Sequence, residues 1–218
     1  MIGGALRLER VGASLGAQDL FGEITVEVKP GEIATIMGPS GSGKSTLLSL
    51  VCGTLDPVFR ARGRVIVAGD DVTAWPARRR RLGILFQDDM LFPHLSVGEN
   101  LAFGLVETVR DRVTRRDRIA SALAEAELAG FADRDPATLS GGQRARVALM
   151  RTLLAEPRAL LFDEPFSKLD VELRERVRRF VFDHARRRAL PVLLVTHDPA
   201  DAAAAGGPIV AIGPSPPV

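Results

Sequence analysis

Nine consecutive residues, Gly38-Pro39-Ser40-Gly41-Ser42-Gly43-Lys44-Ser45-Thr46, constrain this chain more than any other feature. They fit the pattern G-x-x-x-x-G-K-[ST], and the setting agrees with it. The short apolar run Ile33–Met37 precedes them, and Thr46–Leu50 opens a helix-favouring stretch. Glycines at these positions let successive backbone N–H groups converge on phosphate oxygens, and a helix start adds a favourable dipole. Lys44 is then placed for the β- and γ-phosphates, and the Ser45 hydroxyl for Mg2+. Arginine supplies most of the basic charge, and Lys29, Lys44 and Lys168 are the only lysines. The loop implies a bound nucleoside triphosphate but does not name the machine that uses it.

The rest of the chain supplies the sheet and helices such a loop needs. Leu6–Arg10 and Ile24–Val28 alternate apolar with polar residues, the period of half-buried strands. Lys29-Pro30-Gly31-Glu32 is a turn by composition. Ile33–Met37, Ala159–Phe162 and Val192–Thr196 are apolar enough for strands buried on both faces, and Arg64–Ala68 is a further strand. Residues 96–134 favour helix, with Ile119, Leu123 and Ala126 on one expected buried face. Gly141–Ala155 and Leu173–Arg188 read as two more helices. Strands alternating with helices predict an α/β fold built on a parallel sheet. The basic run Arg78–Arg81 reads as a solvated turn.

Two further segments carry chemistry. Ala159-Leu160-Leu161-Phe162-Asp163-Glu164 runs from four apolar residues into two carboxylates. A buried strand ending in Asp163 puts that carboxylate where it can hold Mg2+, directly or through water, and leaves Glu164 placed to polarise an attacking water. Leu139-Ser140-Gly141-Gly142-Gln143 sets a serine and two glycines at a helix start, a second phosphate-binding arrangement.

With these residues in place, the chain resembles the nucleotide-binding subunits of ATP-binding-cassette (ABC) transporters from about residue 5 to 205. Six elements stand in that family's order: Walker A at Gly38–Thr46, Gln87, the signature Leu139–Gln143, Walker B at Leu160–Glu164, Ser167-Lys168-Leu169-Asp170, and Thr196-His197-Asp198. Residues 135–170 and 83–88 look more narrowly like YnjD-type importer ATPases. The resemblance implies a P-loop NTPase with a RecA-like core, an N-terminal antiparallel β part and a helical subdomain inserted at about residues 88–157. It implies one domain over residues 1–218, with no regulatory domain.

It also implies roles. ATP and Mg2+ are the expected cofactors, with Ser45, Gln87 and Asp163 toward the metal. Glu164 is the expected general base and His197 the γ-phosphate sensor. Ser140, Gly141 and Gly142 are expected to bind the ATP held by an opposite subunit. One P-loop and one signature per chain then require two chains, a homodimer or a paired ABC subunit, arranged head to tail. Asp170 is expected to communicate across that interface, or simply to cap the helix that follows. The segment Met90–Asn100, with Leu91, Phe92 and Leu95, corresponds to the family's contact with an integral membrane permease. A solute-binding protein outside the cytoplasm completes the expected set. Family members carry an aromatic for adenine upstream of Walker A. Leu15 stands there, the chain has no tyrosine, and Phe21 is the alternative aromatic.

Composition narrows the remaining choices. The 29 basic and 27 acidic residues nearly cancel, which argues against a nucleic-acid clamp despite a pI near 9.2. No apolar run is long enough to span a membrane, and no signal peptide is visible at the N-terminus. The single cysteine, Cys52, fits a reducing compartment. The expected location is the cytoplasmic face of the cell membrane, as a peripheral subunit energising solute import. Export or lipoprotein release is the alternative. A DNA-maintenance ATPase is disfavoured, because the stretch between Ser45 and Leu139 is too short for a coiled-coil arm.

Overall fold

In the computed structural model, which describes residues 4–213, alternating apolar residues build an antiparallel sheet. Strands β1 (Leu6–Leu15) and β2 (Gln18–Val28) form a hairpin whose inward residues Leu6, Leu8, Phe21 and Val28 are fully buried. Both strands extend well beyond the predicted segments. The turn at Lys29–Glu32 forms as composition predicts, closed by Glu32 N–H donating to Lys29 O at 2.9 Å. It leads into β3 (Ile33–Met37) and then helix α1 (Lys44–Cys52). Strands β4 (Phe59–Val67) and β5 (Asp70–Asp71) complete the first sheet in the order β2-β1-β4-β5.

A short helix α2 (Ala77–Arg80) precedes β6 (Leu82–Leu85). Later in the chain, β7 (Ala159–Asp163), β8 (Val192–Thr196) and β9 (Ile209–Ala211) join β3 and β6 in a five-stranded sheet, ordered β6-β7-β8-β3-β9. β7 pairs with β8, β8 with β3, and β3 with β9, all in parallel. The continuous apolar run of β8 is buried at every position, as a central parallel strand requires. Leu47, Leu48 and Val51 of α1 join one core with Leu8 and Val65 of the first sheet and Ile36, Leu161 and Val195 of the second. Burying each such side chain contributes about 1.5–3 kcal/mol.

The remaining helices are α3 (Val97–Phe103), α4 (Arg112–Glu125), α5 (Gly141–Leu154), α6 (Val171–Arg187) and α7 (Pro199–Ala205). By contact density the chain divides into two units. Among the described residues, the first holds those up to Ile84, Arg158–Glu164 and those after Val181; the second holds Leu85–Pro157 and Pro165–Val181. The second is helical. Leu123 and Ala126 are buried as the 3.6-residue period predicts, while Ile119 is half-buried. Ser96 and Glu99 form a capping box at the start of α3. Asn100 is fully buried, accepting from Phe92 N–H at 2.8 Å and donating to the carbonyls of Phe92, Leu95 and Ser96. Among the described residues no helix is long and apolar enough to cross a membrane.

The basic run Arg78–Arg81 departs from its expectation. Arg78 and Arg79 are exposed, but Arg80 is only 4% exposed. Its guanidinium donates to the carbonyls of Leu50 and Val51 at 2.8 and 2.7 Å, and to those of Thr73 and Trp75 at 2.6 and 2.9 Å. Leu50 and Val51 lie in the last turn of α1, at the negative end of its dipole, where Gly53 N–H reaches Leu50 O at 3.2 Å. A permanent cation there bonds both carbonyls and suits the dipole. Gly53 makes the approach possible, since a Cβ at that position would lie 2.6 Å from Arg80 Nε.

Candidate nucleotide site

The carboxyl ends of three neighbouring strands, β7, β8 and β3, carry the expected residues of the first unit. Ligands in open parallel sheets bind at that end. The loop after β3 reaches left-handed backbone at Gly41 (φ 79°) and Gly43 (φ 88°), conformations glycine adopts without a steric penalty. Gly43 is the N-cap of α1, with no side-chain cap and no acidic residue in the first turn. The helix therefore presents its N–H groups and positive dipole end without a built-in counter-charge. Lys44 is nearly buried and folds back over its own loop, donating to Gly38 O at 2.9 Å and Pro39 O at 2.8 Å. The Ser42 hydroxyl inside the loop is buried with no hydrogen-bond partner among the described residues. These are donors suited to phosphate oxygens.

Glu164 follows β7 in a left-handed conformation, φ 46°, rare for a residue with a side chain and costing about 1–2 kcal/mol. Its N–H is fixed to Val195 O at 2.9 Å. The carboxylate spans two groups: Oε1 lies 3.9 Å from Lys44 Nζ, and Oε2 lies 3.1 Å from His197 Nδ1. His197 stands on a turn pinned from both sides. Thr196 Oγ1 donates to the buried Asp201 at 3.1 Å and accepts from Asp198 N–H at 3.0 Å. Asp198 in turn caps α7.

Asp163 ends β7 beside Ser45, whose hydroxyl donates to it. Burial raises the Asp163 carboxyl above the usual carboxylate range, and the Glu164 charge raises it further; Ser45 and Lys44 oppose both. A divalent cation relieves such crowding of negative charge, and a hydroxyl beside a carboxylate is the hard-oxygen donor set that Mg2+ takes together with phosphate and water. Among the described residues no cluster of three His, Cys, Asp or Glu side chains could hold a metal alone. The residues thus fit an ion that arrives with a phosphate ligand.

The other expected residues belong to the second unit. Gln87 is exposed, just past β6. Ser140 is the N-cap of α5 and forms a reciprocal capping box with Gln143. Gly142 has a packing reason as well: a Cβ there would lie 2.6 Å from Leu173 Cδ1 on α6. Asp170 accepts from Leu173 N–H at 2.9 Å, so it does cap α6. In the segment after Gln87, Leu91, Phe92 and Leu95 are half-buried, while Met90 and Phe103 are 60% and 70% exposed.

Phe21 is not available to a base. It is fully buried against the phosphate loop, where a Cβ on Gly43 would lie 2.6 Å from its ring. Leu15 stays 46% exposed, paired across the strands with Phe59. Sequence reading missed both the Phe21 brace and the Arg80 clamp. Neither leaves a motif, since each is defined by a tertiary approach to a glycine.

Residues 21–167 match the ABC transporter family. The chain is 47% identical over 193 residues to the uncharacterized ABC transporter ATP-binding protein YnjD of Escherichia coli K12, covering 88% of each. It is 38% identical to the Fe(3+) ions import ATP-binding protein FbpC of Agrobacterium fabrum, covering 95% of this chain and 58% of that protein. It is also 38% identical to the probable sulfate/thiosulfate import ATP-binding protein CysA of Chlorella vulgaris, covering 91% of this chain and 83% of that one. The chain therefore belongs to the ABC transporter family, as one of its ATP-binding proteins.

Proposed function

We propose that this ATPase works as a head-to-tail dimer on the cytoplasmic face of a membrane, driving solute import through a separate permease supplied by a solute-binding protein. The import relatives support the direction, and no membrane-spanning helix occurs among the described residues. The observation that carries the chemistry is the bridge Lys44–Glu164–His197 beside an uncapped helix N-terminus.

ATP phosphates lie over the N-terminus of α1, where Lys44 exchanges its two carbonyl partners for phosphate oxygens. Ser45 and Asp163 would hold Mg2+, with Gln87 as the further ligand expected from the sequence, and the ion would neutralise charge on the phosphates. Glu164 orients and deprotonates the attacking water, a role worth about 10²–10⁴-fold. His197 fixes the carboxylate and reads the γ-phosphate. Ser140, Gly141 and Gly142 of a second subunit close over the same nucleotide, so ATP joins the two chains and hydrolysis separates them.

The test is Glu164→Gln. Steady-state hydrolysis should vanish, while size exclusion with ATP should show an accumulated dimer. Hydrolysis at the parent rate would remove Glu164 from the reaction.

A further inference from the structure

Two arginines on one side of α5 grip the segment that follows Gln87. Arg144 and Arg151 are about two turns apart, so they project from the same face. Arg144 Nε donates to Asp89 Oδ2 at 3.1 Å, while its Nη1 donates to Leu139 O at 2.7 Å. Arg151 donates to Met90 O at 2.7 Å and Asp89 O at 3.1 Å, and its guanidinium lies 5.6 Å over the Phe92 ring. Lys168 pairs with Asp88, the neighbour of Asp89.

These contacts make a short strut with two distinct ends. At one end is the signature, since Leu139 belongs to it and Ser140 caps the same helix. At the other is an apolar patch, Met90 with Phe103, the latter edge-on to Phe92 at 4.7 Å. A guanidinium is planar, so one that bonds Leu139 and Asp89 together fixes both distances at once. Arg151 holds the Asp89 and Met90 carbonyls together with the face of the Phe92 ring. Nothing of this shows in the motif pattern, where Arg144 and Arg151 are ordinary helix arginines.

We propose that Arg144 and Arg151 are positioning residues that join the signature helix and the Asp88–Phe92 segment into one lever, carrying the signature's engagement of ATP to the exposed Met90–Phe103 patch. The proposal rests on the reading of Ser140–Gly142 as a contact to the partner's ATP.

Hydrogen–deuterium exchange on the full chain carrying Glu164→Gln, with and without Mg-ATP, tests it beside size exclusion. With ATP, residues 88–92 should slow by about threefold or more, in step with 139–144. Adding Arg144→Met should leave the ATP-dependent dimer in place and abolish the response at 88–92. Arg151→Met, which spares the Leu139 contact, provides the same comparison if Arg144→Met is poorly folded. A dimer in which 88–92 respond as in the parent, in both arginine variants, overturns the lever. Failure of the parent to dimerise with ATP overturns the reading of the signature, and the lever with it.

Discussion

Glu164 Oε2 lies 3.1 Å from His197 Nδ1, although the two residues come from turns after different strands. β7 and β8 are adjacent and parallel, so residues just past their carboxyl ends meet. The left-handed backbone at Glu164 turns its side chain into that meeting.

His197→Ala should therefore cost turnover and leave ATP binding nearly intact. Glu164 keeps its 3.9 Å approach to Lys44 but loses the nearer restraint from His197. We expect kcat to fall about 10²-fold, the low end for a positioned base. Steady-state ATPase assays against titration with a fluorescent ATP analogue separate the two quantities. A kcat within twofold of the parent would show that His197 does not support Glu164.

Gly43→Ala tests the brace under the phosphate loop. Alanine at φ 88° costs about 1–2 kcal/mol, and its Cβ would strike the Phe21 ring at 2.6 Å. The loop must shift, so KM for ATP should rise more than tenfold while the melting temperature drops modestly. Gly41→Ala, equally left-handed but open to space, should lose less.

Arg80→Met removes the cation that holds the Leu50 and Val51 carbonyls in the last turn of α1. Hydrogen bonds from charged groups contribute about 1.5–3 kcal/mol, and stranded acceptors add to the loss, so unfolding in urea should show a destabilisation of about 3 kcal/mol. Arg80→Lys should recover only part, because one ammonium cannot reach four carbonyls arranged around a planar fork. A midpoint unchanged in Arg80→Met would remove the clamp.

These cases mark what sequence reading can reach. Gly38–Thr46, Asp163-Glu164 and Leu139–Gln143 are legible because their chemistry demands particular residues at fixed spacing. β3, β7 and β8 are legible because central parallel strands need uninterrupted apolar runs. Arg80 is not: four consecutive arginines look alike until the fold selects one. Phe21 is not, since its contact with Gly43 depends on a hairpin packing beneath a distant loop. The helical stretch at residues 96–134 is broken between α3 and α4, where Gly104 ends one helix and Asp111 caps the next.

Acid should weaken the helical unit through its caps. Asp111 accepts from Thr114 N–H and hydroxyl at 2.7 and 2.8 Å, and Glu99 accepts from Ser96 N–H at 2.7 Å. Those backbone hydrogen bonds hold both carboxyls below their usual values. In the window between folded and unfolded values the unfolded chain binds more protons, so stability falls as pH falls. The contribution is complete above about pH 5 and lost as pH drops through the depressed values. Asp111→Asn keeps an acceptor but cannot titrate. Its urea midpoint should depend less steeply on pH between about 5 and 3 than the parent's.

The composite site predicts rescue between two dead proteins. Lys44→Ala removes the phosphate cation from a chain's own loop, and Ser140→Arg fills the space its signature offers to a partner. Each homodimer then carries the same defect at both sites. In a mixed dimer, the Ser140→Arg chain supplies an intact Lys44 and the Lys44→Ala chain an intact Ser140, so one site is whole. Equal mixing makes about half the dimers mixed under two-fold symmetry, and activity should return to about a quarter of the parent's if the sites act independently. Ser140→Arg alone should still bind a fluorescent ATP analogue with the parent's affinity, because its loop is untouched. Activity in Ser140→Arg alone, or none in the mixture, would place the whole reaction within one chain.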